Sequence, residues 1–179
     1  MPRALDEIAQ SCGTDKSSVL NALTEKYEMY LAPRRAEPLT LLEIGIYQGG
    51  SLRMWYEYLP HATIVGADIL EAPADLVTLA PRVRTFQVDQ SDPEQLRRLA
   101  EPLAATGGID IIVDDGSHFC SHQITTFKAL YPFLNPGGIF FVEDVTTNYN
   151  PQYGGGLGRP DTFLRFAQDL VPFIPMSMG

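Results

Sequence analysis

Two short clusters carry the residues best suited to chemistry. Asp114-Asp115-Gly116-Ser117-His118 follows the apolar run Ile109–Val113, and Glu143-Asp144 follows Ile139–Val142. On neighbouring strands, about 4.8 Å apart, these four acids would share a small volume at the strand ends. Carboxylates that close repel and raise one another's pKa unless a cation intervenes. Oxygen donors suit a hard ion such as Mg²⁺, whereas Zn²⁺ would need cysteine and further histidine ligands. His118 is of the residue type that can act as a general base near neutral pH. His122, one helical turn on, is a helper or a surface residue. The plainer alternative makes some acids helix caps and His118 a hydrogen-bonded structural histidine.

A second set surrounds a glycine turn. The run Glu43-Ile44-Gly45-Ile46-Tyr47-Gln48-Gly49-Gly50-Ser51 closes one strand and opens a helix. Glycines there let a ligand approach the backbone, and the helix offers free N–H groups. Asp68, 25 residues after Glu43, ends the next strand, where a carboxylate can accept both hydrogen bonds of a ribose diol. The spacing E-x-G-x-x-x-G departs from the G-x-G-x-x-G of dinucleotide binders, which disfavours a nicotinamide cofactor.

The elements that must position these groups alternate. Strands are expected at Leu39–Ile46, Ala62–Asp68, Arg82–Val88, Ile109–Val113 and Ile139–Val142, the last after a turn at Asn135-Pro136-Gly137-Gly138. In the third, Val83, Phe86 and Val88 are the apolar positions. Helices are expected at 3–11, 17–31, 52–58, 93–103, 119–133 and 160–170. In the second helix Val19, Leu20, Leu23, Tyr27, Tyr30 and Leu31 share a face, with Asp15 or Ser17 as its cap. Short apolar strands alternating with helices predict an α/β fold with a mainly parallel sheet covered on both faces. The glycine-rich patch 153–158 reads as a mobile loop over a site.

Length and charge agree with this reading. The 179 residues, expected to form one domain, comprise a helical segment 1–38 and a core 39–179. A net charge of −9 argues against nucleic acid as partner. No apolar run approaches the ~18–20 residues needed to cross a bilayer, so no membrane partner and a cytoplasmic location are expected. Two cysteines, Cys12 and Cys120, make no disulfide framework.

The glycine turn with its downstream acid resembles the first motif of class I S-adenosylmethionine-dependent methyltransferases. The run Asp114–His118, His122, Pro136-Gly137-Gly138 and Val142-Glu143-Asp144 resembles mycinamicin-type sugar O-methyltransferases, and so do Gly13-Thr14-Asp15-Lys16 and Ser51-Leu52-Arg53-Met54-Trp55. That resemblance implies a Rossmann-like fold with S-adenosyl-L-methionine and Mg²⁺ as cofactors. It implies Asp115, Glu143 and Asp144 as metal ligands and His118 as base. The cofactor would meet Thr14, Glu43, Gly45, Gly49, Ser51, Asp68, Asp89, Gln90 and Asp114.

The acceptor would be a sugar hydroxyl on a small molecule or oligosaccharide, near His122 and Tyr149, with Tyr47, Trp55 and Tyr153 as further aromatic lining. Three alternatives are a catechol-type enzyme, which generally relies on a lysine, an NAD-dependent dehydrogenase, and a non-catalytic cofactor-binding module. The family's C-terminal antiparallel strand pair is not evident before Gly179. A truncated chain, or a homo-oligomer covering the open edge, is therefore expected.

Overall fold

A computed structural model of the chain describes residues 3–170. The expectation of a missing strand pair falls partly on residues 171–179, which lie outside the described residues. Five strands form one parallel sheet in the order β3-β2-β1-β4-β5. They are β1 (Thr40–Ile44), β2 (Thr63–Asp68), β3 (Val83–Gln87), β4 (Ile109–Asp114) and β5 (Leu134–Val142). The order reverses between β1 and β4, where ligands of doubly wound sheets bind.

Alternation of side chains along β1 shows how the sheet is covered. Leu41 packs with Ile64, Ile111 and Val113 against α1 (Leu5–Cys12), α2 (Thr24–Leu31) and α3 (Gly50–Tyr58). Leu42 and Ile44 pack with Val65, Ala67 and Ile112 on the other face, against α4 (Pro93–Ala105) and α5 (Cys120–Leu130). A last helix, α6 (Phe163–Leu170), packs on α5. Asp92 caps α4 by accepting from Glu94 N and Gln95 N, and Pro93 occupies the first turn. No helix among the described residues is long and apolar enough to cross a membrane.

Four expectations need correction. The helix expected over 17–31 starts only at Thr24, and neither Asp15 nor Ser17 caps it. Residues 13–23 instead form turns, with Leu23 N and Thr24 N both donating to Lys16 O. Val19 and Leu20 stand 72% and 67% exposed rather than on a buried face. The turn at 135–138 is absorbed into β5 as a register shift opposite Ile109 and Ile111. Phe86 is exposed, because β3 is an edge strand with little packed on it. The final helix starts at Phe163 rather than 160.

Asp6 clamps this N-terminal segment. Its carboxylate accepts from Ser18 N, Ser18 Oγ, Thr24 Oγ1 and Gln10 Nε2. The Ser18 bonds lead in lowering its pKa to about 2. A depressed carboxylate contributes stability above its unfolded pKa, and that contribution is lost as pH falls through the folded value. The stability difference between the parent chain and Asp6→Asn should therefore shrink between about pH 4 and pH 2. Urea titrations across that range would measure it, and a pH-independent difference would refute it.

Candidate active site

The carboxyl ends of β1, β2, β3 and β4 surround a cavity of about 420 Å³. Its lining includes Gly45, Asp68, Asp89, Gln90, Asp115, His118, His122 and Asp144, eight of the residues singled out in the sequence. Backbone strain gathers here too. Tyr47, His118 and Asp144 have φ of 48°, 60° and 49° and all line the cavity. Non-glycine residues held in this region mark positions that the surrounding structure over-determines.

Gly45 sets the floor. At φ +98° it brings the end of β1 so close to β4 that a Cβ would lie 2.1 Å from Asp115 O. Asp68 closes the turn, with Oδ2 accepting from Ile46 N and Tyr47 N and Oδ1 from Leu70 N. Gln90 crosses from β3 to β4, where it bonds Asp114 Oδ1 and accepts from Ser117 N. His122 Nδ1 sits 2.7 Å from Ser117 Oγ. Asp89 is held below the usual carboxylate range by bonds from Ser91.

Thr14 and Ser51 line a smaller cavity of about 270 Å³, which shares Asp15, Gly45, Tyr47 and Asp115 with the first. Gly49 precedes α3 at φ +76° with Leu76 against it, and lines neither.

One acid of each strand-end pair faces away from the cavity. Asp114, expected to meet the cofactor, is buried beneath Gln90 and borders neither the large nor the small cavity. Burial pushes its pKa to about 7. Glu43, expected there too, is fully buried, with Ser51 Oγ and Trp55 Nε1 of α3 donating to Oε2. Burial pushes it up to about 8. Trp55, expected in the acceptor pocket, is core, edge-on to Tyr27. Tyr149 is 60% exposed and lines a separate cavity with Leu157 and Arg165.

The residue that sequence reasoning missed is Lys16. Its ammonium is fully buried, contacts Asp115 Oδ2, and lies 2.7 Å from Glu143 Oε1 and 3.6 Å from Glu43 Oε1. Burial opposes this charge, but Glu43, Glu143 and Asp115 outweigh burial and hold it above the ordinary lysine range. The Tyr27 hydroxyl donates to the same Glu143 oxygen. A signal existed: several acids at strand ends demand a buried counter-charge, and the polar turn 13–16 supplied the one lysine near them.

Asp115, His118 and Asp144 each offer a donor atom, all within 4.8 Å of one another. His118 Nε2 is 3.5 Å from Asp144 Oδ2, and its Nδ1 is buried without a partner. Two carboxylates and an imidazole fit a divalent cation. Glu143, expected as a third acid ligand, is held by Lys16 and Tyr27 and stands outside this group.

Behind Glu143, Gln123 Nε2 donates to its carbonyl, and Gln123 Oε1 accepts from Asn148 Nδ2. Asn148 also accepts Leu164 N on its side chain and Gly156 N on its backbone. The loop that carries Tyr153, 5.6 Å from Phe119 and 6.4 Å from His118 between ring centroids, hangs from this amide.

Residues 42–145, spanning the turn, the cavity and both acid pairs, match the methyltransferase domain family. The chain belongs to that family. This methyltransferase domain is 43% identical over 150 residues to 8-demethyl-8-alpha-L-rhamnosyl tetracenomycin-C 2'-O-methyltransferase of Streptomyces olivaceus, covering 80% of this chain and 38% of that protein. It is 38% identical over 159 residues to mycinamicin VI 2''-O-methyltransferase of Micromonospora griseorubida, covering 84% and 38%. MycE methyltransferase from the mycinamycin biosynthetic pathway, solved with Mg and SAH, superposes with a TM-score of 0.85 at 34% identity, covering 96% of this chain and 48% of that one. The methyltransferase domain thus spans less than half the length of these relatives.

Proposed function

We propose that this chain carries the site of an O-methyltransferase that moves a methyl group from S-adenosylmethionine to a sugar hydroxyl of a glycosylated natural product. The observation that carries the reading is the join of two features in one cavity: the Gly45 turn with Asp68, and the group Asp115, His118 and Asp144. The sugar O-methyltransferases it is similar to support the acceptor class. So does the solved relative in complex with Mg, SAH and mycinamycin VI.

Gly45, Asp68, Asp89 and Gln90 would hold the cofactor, with Thr14 and Ser51 at its margin and residues 1–38 acting as part of the same unit. Asp115 and Asp144 would hold Mg²⁺, joined by Glu143 if it leaves its inner partners. When bound, the cofactor supplies an electrophilic methyl group, and the cation favours a deprotonated hydroxyl. His118 takes the acceptor's proton, with the Asp144 carboxylate 3.5 Å from its Nε2. The strained backbone at His118 and Asp144 fixes that pair, so alignment rather than strong basicity does most of the work. Tyr153 and Phe119 flank the acceptor side; the location would be cytoplasmic and the assembly a homo-oligomer.

The catechol-type reading asked for a lysine near the acids. One is present, but Lys16 is buried and borders neither the large nor the small cavity, so it offers no base to an acceptor. Labelled methyl transfer should reach a deoxysugar glycoside and spare a catechol. EDTA should abolish it and Mg²⁺ restore it. Transfer to catechol alone would overturn the acceptor class, and full turnover in EDTA would remove the metal.

A further inference from the structure

We propose that Lys16 is a positioning residue of this site, an internal cation that holds Asp115 and Glu143 and competes with the divalent ion for them. The inference rests on the metal reading above and concerns what that reading leaves unexplained: why a lysine lies among the acids.

Three elements converge on its ammonium. Asp115 reaches it from the end of β4, Glu143 from the end of β5 at 2.7 Å, and Glu43 from β1 at 3.6 Å. With no exposed surface, Lys16 can neither touch an acceptor nor exchange partners with solvent. Glu143 is turned inward, its Oε1 shared between Lys16 and Tyr27. The carboxylates left for an ion are Asp115 and Asp144, with His118 beside them, so one acid is shared between the ammonium and the ion site.

Two cations on one carboxylate repel each other, and the ammonium, with no exposed surface, is not screened by water on its own side. The ammonium therefore weakens divalent binding and keeps the ion exchangeable. It also compensates the inner acids when no ion is bound, so the fold does not depend on metal.

The test is Mn²⁺ binding to the full chain, followed by electron paramagnetic resonance, with thermal melts over the same titration. Lys16→Met should bind Mn²⁺ at least tenfold more tightly than the parent. It should melt lower without metal and regain most of that loss with it. A residue that merely supported the fold would move the affinity the other way. If the single variant does not fold, Lys16→Met/Glu43→Gln removes the ammonium together with the inner acid that faces it from β1 and should still bind Mn²⁺ more tightly than the parent. Equal or weaker binding in either folded variant overturns the role of Lys16 alone. No Mn²⁺ binding in the parent chain overturns the metal reading and this inference with it.

Discussion

His118→Ala should lower methyl transfer by about 10²–10⁴-fold while leaving cofactor affinity near the parent value. The imidazole lines the cavity beside Asp144, whereas the Gly45 turn that would hold the cofactor is closed by bonds to Asp68 that do not involve it. On the proposed reading, truncation removes the proton acceptor and leaves the bonds of the binding floor in place. Single-turnover transfer to a deoxysugar glycoside, with calorimetry of S-adenosylhomocysteine binding, separates the two quantities. Near-parental transfer would reject the base. An equal fall in cofactor affinity would mean that the ring supports the cavity instead.

Gly45→Ala should do the reverse damage. A Cβ at this position meets Asp115 O at 2.1 Å and forces an alanine to φ +98°. The ends of β1 and β4 must then part, which breaks the bond from Asp115 N to Ile44 O. The expected cost is on the order of 3 kcal/mol of stability, with cofactor affinity falling at least tenfold. Urea unfolding and calorimetry would measure both. A variant that binds and unfolds like the parent would show that the close approach is dispensable.

The sheet was legible because its strands are short apolar runs bounded by glycine, proline and acid, a pattern that fits buried parallel strands. The helix over 17–31 was misread for a physical reason. Val19, Leu20 and Leu23 have helical spacing, but the inner acids draw Lys16 into the core and Asp6 ties down Ser18, so residues 13–23 turn instead. Long-range pairing overrode local propensity.

The candidate site was legible as a cluster, whereas the roles within it were not. Successive residues at a strand end point to opposite sides, so in Asp114-Asp115 and Glu143-Asp144 one acid of each pair must turn away. Sequence spacing shows the pairs without saying which member faces the cavity. Glu43 posed the same problem, and its Ser51 and Trp55 partners lie on a helix face that only the fold brings over it.

The suspension of the Tyr153 loop from Asn148 has an engineering corollary. This one buried residue holds that loop through its backbone carbonyl and joins it to α6 and to Gln123 through its side-chain amide, and Gln123 holds the backbone behind Glu143. Residues 150–154 should accept other chemistries while Asn148 and Gln123 hold the backbone behind Glu143, and melting curves of the loop variants would check it. Libraries confined to that short stretch would show, on the proposed reading, whether the loop tip sets the choice of acceptor.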